Sequence, residues 1–156
     1  MSSQSEVTQE VEGLPRVVRL PMGLIGFSEF TEFSLQSAPG CPPFLLLQAR
    51  GEGAPEFVVM QPEGVIGGYE LFLSDEDCES LDLGHASEAL VLNIVTIRSM
   101  TPPFVTVNLA GPVIVNRKSG RGKQIICTQG TRYSTEYVLV DQRTGDKADR
   151  EKGAVS

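Results

Sequence analysis

Residues 89–127 decide the fold of this chain, and they read ALVLNIVTIRSMTPPFVTVNLAGPVIVNRKSGRGKQIIC. Three or four strand-like runs follow one another here without a helical period between them. Five polar residues interrupt the runs where a core strand would carry Val or Ile: Asn93, Thr96, Thr106, Asn108 and Asn116. The stretch offers no convincing nucleophile, metal ligand or general base. It therefore predicts a β scaffold that suits binding better than catalysis.

The polar strand residues admit two interpretations. Asn is disfavoured in strands by up to about 1 kcal/mol, and an inward polar group without a partner costs about 1–3 kcal/mol. Such residues either form a polar network that fixes the strand register or line a groove that forms hydrogen bonds with a partner's backbone. We favour the register interpretation and keep the groove as its alternative.

The rest of the chain also favours short strands and turns. Gly and Pro account for 16 and 10 of the 156 residues, and the length suits one domain. We expect a flexible arm at 1–14, a single domain at 15–140 and a polar charged tail at 141–156. Strands are predicted at 17–20, 44–48, 57–60 and 64–74, the last with Tyr69, Leu71 and Leu73 on one face. Residues 30–35 fit either a strand or one helical turn.

One helix has start and stop signals in the sequence. Ser74 is the predicted N-cap, with its side chain accepting the amide of Asp77. Asp75 and Glu76 suit the positive end of the helix, and Gly84 is the predicted stop. These signals predict a short, strongly acidic helix of about two turns.

A tight turn is predicted at PMGLIGF, residues 21–27. Its two glycines permit positive φ angles. The turn is therefore expected to present Leu24, Ile25 and Phe27 inward.

Charge is distributed unevenly along the chain. The net charge is -7, yet residues 1–116 carry 15 acidic against 4 basic residues, whereas residues 117–156 carry 5 against 9. The acidic part repels phosphates, so we expect no direct nucleic-acid binding. It would attract a basic partner, with an attraction that weakens as salt is added.

The sequence contains no recognisable targeting or metal-binding pattern. Cys41, Cys78 and Cys127 are widely separated and form no CxxC, which indicates free thiols in a reducing compartment. The N-terminus lacks the apolar core of a signal peptide, and the apolar runs are too short to cross a bilayer. We therefore expect a cytoplasmic protein without membrane attachment.

Three candidate sites, a catalytic histidine, a phosphate loop and a calcium loop, lack the neighbouring residues that their chemistry requires. His85 is the only histidine and follows the predicted helix stop, without a serine or cysteine motif beside it. The segment GRGK at 120–123 lacks the leading glycine and the following Ser or Thr of a phosphate loop. A hairpin turn between strands predicted at 113–116 and 124–127 explains both of its glycines. The acidic run at 75–82 lacks the central glycine and final Glu of a calcium loop. We expect no catalytic residue, no metal and no cofactor.

Several motifs in order carry a family resemblance. They are PMGLIGF at 21–27, YE at 69–70 before SDED at 74–77, LVLNIVTI at 90–97, and VNLAGPVIVN at 107–116 followed by RGKQII. Together they resemble the FliW family of bacterial flagellar assembly factors, from about residue 16 to 139. The resemblance implies a small, mainly antiparallel β-barrel-like domain with one or two short helices and no enzyme activity.

The resemblance also implies partners. Family members bind flagellin in the cytoplasm and, when free of it, bind and antagonise CsrA, a small RNA-binding regulator that represses flagellin translation. For this chain we expect a monomer that uses an acidic face for the basic partner: Glu70, Asp75, Glu76 and Asp77. Groups near Leu24, Phe27 and Asn108 are the candidates for flagellin. The alternative is a small-ligand-binding or enzymatic β-barrel that uses the polar strand residues and His85.

Overall fold

A computed structural model describes residues 13–38, 43–127 and 133–143. Nine strands dominate the described chain: β1 Val17–Arg19, β2 Glu32–Ser37, β3 Phe44–Ala49, β4 Glu56–Met60, β5 Ala89–Met100, β6 Pro103–Val107, β7 Val113–Asn116, β8 Gly122–Gln124 and β9 Tyr137–Asp141. A single α-helix, α1 Asp75–Ser80, and a 3₁₀ turn at Ala86–Glu88 complete the regular structure of these residues. The predicted arm at 1–14 and tail at 141–156 lie almost entirely outside the described residues.

All pairings between the nine described strands are antiparallel. The main path runs β1-β2-β3-β4-β5-β6-β9, and β7 pairs with β5 and β8. Val95 of β5 lies between Val58 of β4 and Val107 of β6, while Leu92 pairs with Val113 of β7. β6 and β7 therefore follow one another along the same edge of β5, separated by residues 108–112.

The sheet curls without closing. Arg19 at the end of β1 forms an isolated bridge with Arg121, and its amide donates to the carbonyl of Gly120 at 2.8 Å. This contact brings the β7–β8 hairpin beside β1, but no continuous ladder joins them among the described strands. The predicted mainly β, antiparallel fold with short helices is confirmed, as a curled sheet that is left open.

The core has two halves along β5 and a smaller cluster beneath the helix. The first half packs residues such as Val18, Phe33, Leu47, Leu90 and Val113. The second half is built around Met60, Val95, Val105, Val107 and Leu109. The cluster beneath α1 consists of Leu81, Ile114 and Ile125. Since β7 contributes to both faces of the sheet, all four of its residues are buried.

Two predicted element boundaries were wrong. Residues 64–74 do not form a strand, although Tyr69, Leu71 and Leu73 do face inward and alternate with exposed neighbours. Side-chain exposure does alternate along this segment, but its backbone pairs with no strand among the described residues. The helix also ends at Ser80 rather than at Gly84, because Asp82 adopts a φ of 55° and turns the chain earlier. Residues 30–35, which fitted either structure, belong mainly to strand β2.

Candidate partner-binding surfaces

The start of α1 is capped as its sequence predicts. The Ser74 hydroxyl accepts the amide of Asp77 at 3.0 Å, and the Asp77 carboxylate accepts the amide of Ser74 at 3.4 Å. This reciprocal pair is a capping box. It orients the helix so that Asp75 and Glu76 are exposed.

Asp77 differs from its acidic neighbours because it is committed to an internal ion pair. Its Oδ1 lies 2.7 Å from the Nζ of Lys123 on β8, and both side chains are largely buried. Burial by itself would raise the pKa of the Asp77 carboxyl, but Lys123 and the Ser74 cap bring that pKa below its ordinary value. Of the four acidic residues predicted to bind a partner, Glu70, Asp75 and Glu76 are therefore exposed, while Asp77 stabilises the helix position.

The loop at residues 21–27 exposes more apolar surface than its sequence predicts. Leu24 faces inward as expected, with only 2% of its surface accessible, so it offers nothing to a partner. Ile25 was expected inward but is 65% exposed, beside Met22 at 75%. Phe27 is partly exposed and packs edge-on against Phe57, with ring centroids 5.1 Å apart. The apolar surface of this loop consists of Met22, Ile25 and Phe27.

Asn108 shapes the break between β6 and β7. Its Oδ1 accepts the amides of Ala110 at 3.0 Å and Gly111 at 2.9 Å. Its backbone carbonyl accepts the side-chain amide of Asn93, which also donates to the Tyr69 hydroxyl, both at 3.0 Å. Groups near Asn108 were expected from the sequence to contact flagellin, but its side-chain oxygen is occupied by its own loop.

Asn116 performs a similar role beneath the helix. Its Nδ2 donates to the carbonyls of Leu81 at 2.9 Å and Asp82 at 3.1 Å. Its Oδ1 accepts the amides of Lys118 and Ser119 in the β7–β8 turn. The buried side chains of Asn93 and Asn116, with that of Asn108, therefore form internal polar contacts that fix strand and loop positions.

β8 connects the regions that the sequence singled out separately. Lys123 reaches α1 through Asp77, and the next residue, Gln124, accepts the amide of Ile25 at 2.8 Å. Gln124 also donates to the carbonyl of Gly111 at 2.9 Å. The acidic helix, the apolar loop and the Asn108 loop thus meet on one three-residue strand. Sequence reasoning missed Gln124, since a single glutamine in a short strand carries no pattern.

The residues considered for catalysis or metal binding are not brought together. His85 is exposed at the start of the 3₁₀ turn, where its amide donates to Glu88. Cys78 and Cys127 are free thiols, and Cys41 lies outside the described residues. Within residues 13–38, 43–127 and 133–143, no group of three His, Cys, Asp or Glu side chains could hold a metal ion. In the same residues, no helix is long and apolar enough to span a membrane.

Comparison with known proteins decides the family. The family model described as "FliW protein" matches residues 3–139, which is most of the chain. The chain belongs to the FliW family. The predicted resemblance is confirmed.

Individual FliW relatives cover most of both chains. A flagellar assembly factor FliW from Leptospira biflexa is 38% identical over 111 residues, covering 71% of this chain and 72% of the relative. One from Geobacter sulfurreducens is 34% identical over 140 residues, covering 89% and 86%. A crystal structure of the flagellar assembly factor FliW aligns with a TM-score of 0.71 at 29% identity, covering 83% of this chain and 89% of that one. The fold described above is therefore the FliW fold.

Proposed function

We propose that this chain is a cytoplasmic flagellar assembly factor that binds flagellin and, when free of flagellin, binds CsrA and relieves its repression of flagellin translation. Family membership over residues 3–139 carries the proposal. Relatives from two distant bacteria are named flagellar assembly factors. The protein acts by binding and not by catalysis, and it works as a monomer.

The acidic face is proposed as the surface for the basic regulator. Glu70, Asp75 and Glu76 are exposed, and their charges belong to the acidic part of the chain. Close opposite charges accelerate association and select the partner, more than they add affinity. The acidic charge also repels RNA, so this surface favours binding of RNA-free CsrA over binding of RNA-bound CsrA.

The apolar loop at 21–27 is proposed as the surface for flagellin. Met22 and Ile25 are large apolar residues that remain mostly exposed. Ile25 is fixed in place by Gln124, so the loop is preorganised and loses little entropy when a partner covers it. β8 contacts both surfaces, the acidic helix through Lys123 and the apolar loop through Gln124.

The alternative of a small-ligand or enzymatic barrel loses its proposed residues. Asn93, Asn108 and Asn116 are engaged in internal hydrogen bonds. His85 lies on the exposed 3₁₀ turn and not among these residues. These three asparagines therefore support the scaffold, which favours the binding proposal over a pocket chemistry.

A pull-down from the native cytoplasm tests the proposal. The wild-type chain should recover flagellin and CsrA, identified by mass spectrometry. Met22→Ser with Ile25→Ser should lose flagellin and retain CsrA, whereas Asp75→Lys with Glu76→Lys should do the reverse. Recovery of neither protein by the wild-type chain would overturn the proposed function.

A further inference from the structure

A narrow groove separates residues 70–77 from residues 125–127. Its walls include Phe72 and Glu70 on one side and Ile126 on the other, and its volume is about 180 Å³. Small-molecule sites usually begin at roughly 300 Å³. The groove is therefore suited to side chains of a larger partner and not to a free ligand.

Both walls expose large apolar side chains. Phe72 is 61% exposed and Ile126 is 54% exposed. Phe72 is exposed because the alternation of this segment places Leu71 and Leu73 inward and Phe72 outward. The two apolar residues face the same groove from different parts of the chain.

The backbone of residues 71–73 lines the groove without partners in the described chain, and the alternating exposure of these residues is that of an extended chain. Among the described residues, the amides and carbonyls of Leu71, Phe72 and Leu73 have no hydrogen-bond partner. On the other wall, Ile125 and Cys127 donate their amides to Pro112 and Ala110. In an extended chain, alternate residues direct their peptide groups to opposite sides, so those of Ile126 point away from that pairing. Unpaired extended backbone is a template for a further strand.

The charge at the groove selects a basic occupant. The carboxylate of Asp77 is neutralised by Lys123 at 2.7 Å. The exposed carboxylate of Glu70 has no ion-pair or hydrogen-bond partner among the described side chains, and Asp75 and Glu76 are exposed a few residues along the chain. An arginine or lysine beside the groove would therefore meet unneutralised negative charge.

We propose that this groove binds an extended segment of a protein partner, in which an apolar and a basic residue two positions apart lie on one face, as Phe72 and Glu70 do, and that the segment pairs with the backbone of residues 71–73. Its apolar side chains pack against Phe72 and Ile126, and its basic side chains face Glu70. Main-chain hydrogen bonds provide affinity in this mode, while the side-chain positions provide specificity. The proposal rests on the proposed function in assigning this segment to the basic partner.

A designed peptide tests the groove directly. The probe is a fluorescent, end-blocked peptide of about seven residues, long enough for one ordinary strand. Valine and arginine take turns at every second position, with threonine between them, so that both lie on one face. Fluorescence anisotropy should show saturable binding to the full-length chain, and a peptide with glutamate in place of arginine should not bind. Hydrogen exchange should slow at the amides of residues 71–73 when the basic peptide is added, because strand pairing protects them.

Matched variants distinguish binding in the groove from general attraction of the basic peptide to the acidic surface. Phe72→Ser and Glu70→Lys should each weaken peptide binding about tenfold or more. Met100→Ser, an equally exposed apolar site outside the groove, should leave it unchanged. Equal binding by wild type and Phe72→Ser, or unchanged exchange at residues 71–73, would overturn the proposal.

Failure of the groove proposal and failure of the proposed function give different outcomes. If Phe72→Ser still captures CsrA from the cytoplasm at wild-type levels, the groove is not its docking site, although the proposed function stands. If the wild-type chain captures neither flagellin nor CsrA yet its residues 71–73 are protected by the peptide, the groove is a strand-binding site and the proposed function is wrong.

Discussion

The ammonium of Lys123 lies 2.7 Å from the carboxylate of Asp77, and this contact ties strand β8 to the start of helix α1. Asp77 also caps the helix together with Ser74. One carboxylate therefore determines both where the helix begins and how it sits on the sheet. The neighbouring Asp75 and Glu76 are left exposed at a defined position.

The Asp77–Lys123 pair should make stability sensitive to acid. Since the folded pKa of Asp77 lies below its ordinary value of 3.8, the contribution is fully present above about pH 4 and is lost as the pH falls through the folded pKa. Lys123→Met should lower the free energy of unfolding near neutral pH by about 1 kcal/mol and flatten its decline below about pH 4. Urea unfolding across this range measures both effects. Lys118→Met, which removes a more exposed cation, is the control; identical acid dependence in wild type and Lys123→Met would contradict the prediction.

Tyr69 should make stability sensitive to alkali. Its hydroxyl donates to the carbonyl of Leu109 at 2.6 Å, and burial raises the pKa of Tyr69 above its ordinary value of 10.0. Because its pKa is raised in the folded state, the contribution of Tyr69 to the free energy of unfolding is fully present below about pH 10 and is lost as the pH rises. Tyr69→Phe should cost about 1–2 kcal/mol near neutral pH, and this difference should shrink above about pH 10. Tyr137→Phe, at an exposed position on β9, should leave the unfolding free energy unchanged, and a Tyr69→Phe cost independent of pH would count against this role.

Asn116→Asp should destabilise the fold far more than Asn108→Asp. Asn116 uses its amide nitrogen to donate to Leu81 and Asp82, which an aspartate cannot do. Asn116→Asp should therefore cost about 2–3 kcal/mol, whereas Asn108→Asp retains the oxygen that accepts from Ala110 and Gly111 and should be nearly neutral. Chemical unfolding of the two variants provides the comparison. A larger loss for Asn108→Asp would refute the assignment of these hydrogen bonds.

Gly23 and Gly26 should tolerate alanine differently. Both have positive φ angles, of 69° and 88°. A Cβ at Gly23 would lie 2.5 Å from the Cα of Ser28, but one at Gly26 would meet nothing within 4 Å. Gly26→Ala should cost only the backbone strain of about 1 kcal/mol, and Gly23→Ala roughly 3 kcal/mol, with a displaced loop. Thermal unfolding distinguishes them; equal losses would mean that the loop relaxes around the added methyl group.

Reversing the charge of Asp75 and Glu76 should slow association with CsrA, the proposed basic partner. With both residues changed to Lys, we expect the association rate at low salt to fall by about tenfold and its salt dependence to weaken, because steering acts mainly on encounter. Stopped-flow measurements at several salt concentrations test this. Glu52→Lys with Glu56→Lys changes the same charge on the exposed β3–β4 hairpin and should have a much smaller effect. Wild-type association by the Asp75 and Glu76 variant at low salt would show that the acidic helix is not the docking face.

The sequence predicted those features that depend on local patterns. Alternation and turn residues located the β3–β4 hairpin, and the Ser74 cap fixed the helix start. A hairpin after β7 was also predicted, but β8 begins at Gly122 and not at Gln124. The helix end was missed because Asp82, and not a glycine, adopts the positive φ angle. The strand predicted at 64–74 failed because side-chain alternation reports which face is buried, whereas a strand also requires a partner for its backbone.

The sequence by itself determined the family, the β class, the capped acidic helix and the uneven charge, because each follows from residues that are close together in the chain. Only the tertiary structure decided which of those residues remain free to bind. Lys123 and Asp77 are distant in sequence, as are Gln124 and Ile25, yet they meet at β8. Such contacts depend on how strands pair over long separations, and no local pattern encodes that pairing. Asn93, Asn108 and Asn116, three of the polar residues of 89–127, form internal hydrogen bonds, whereas Thr96 in the same stretch is exposed.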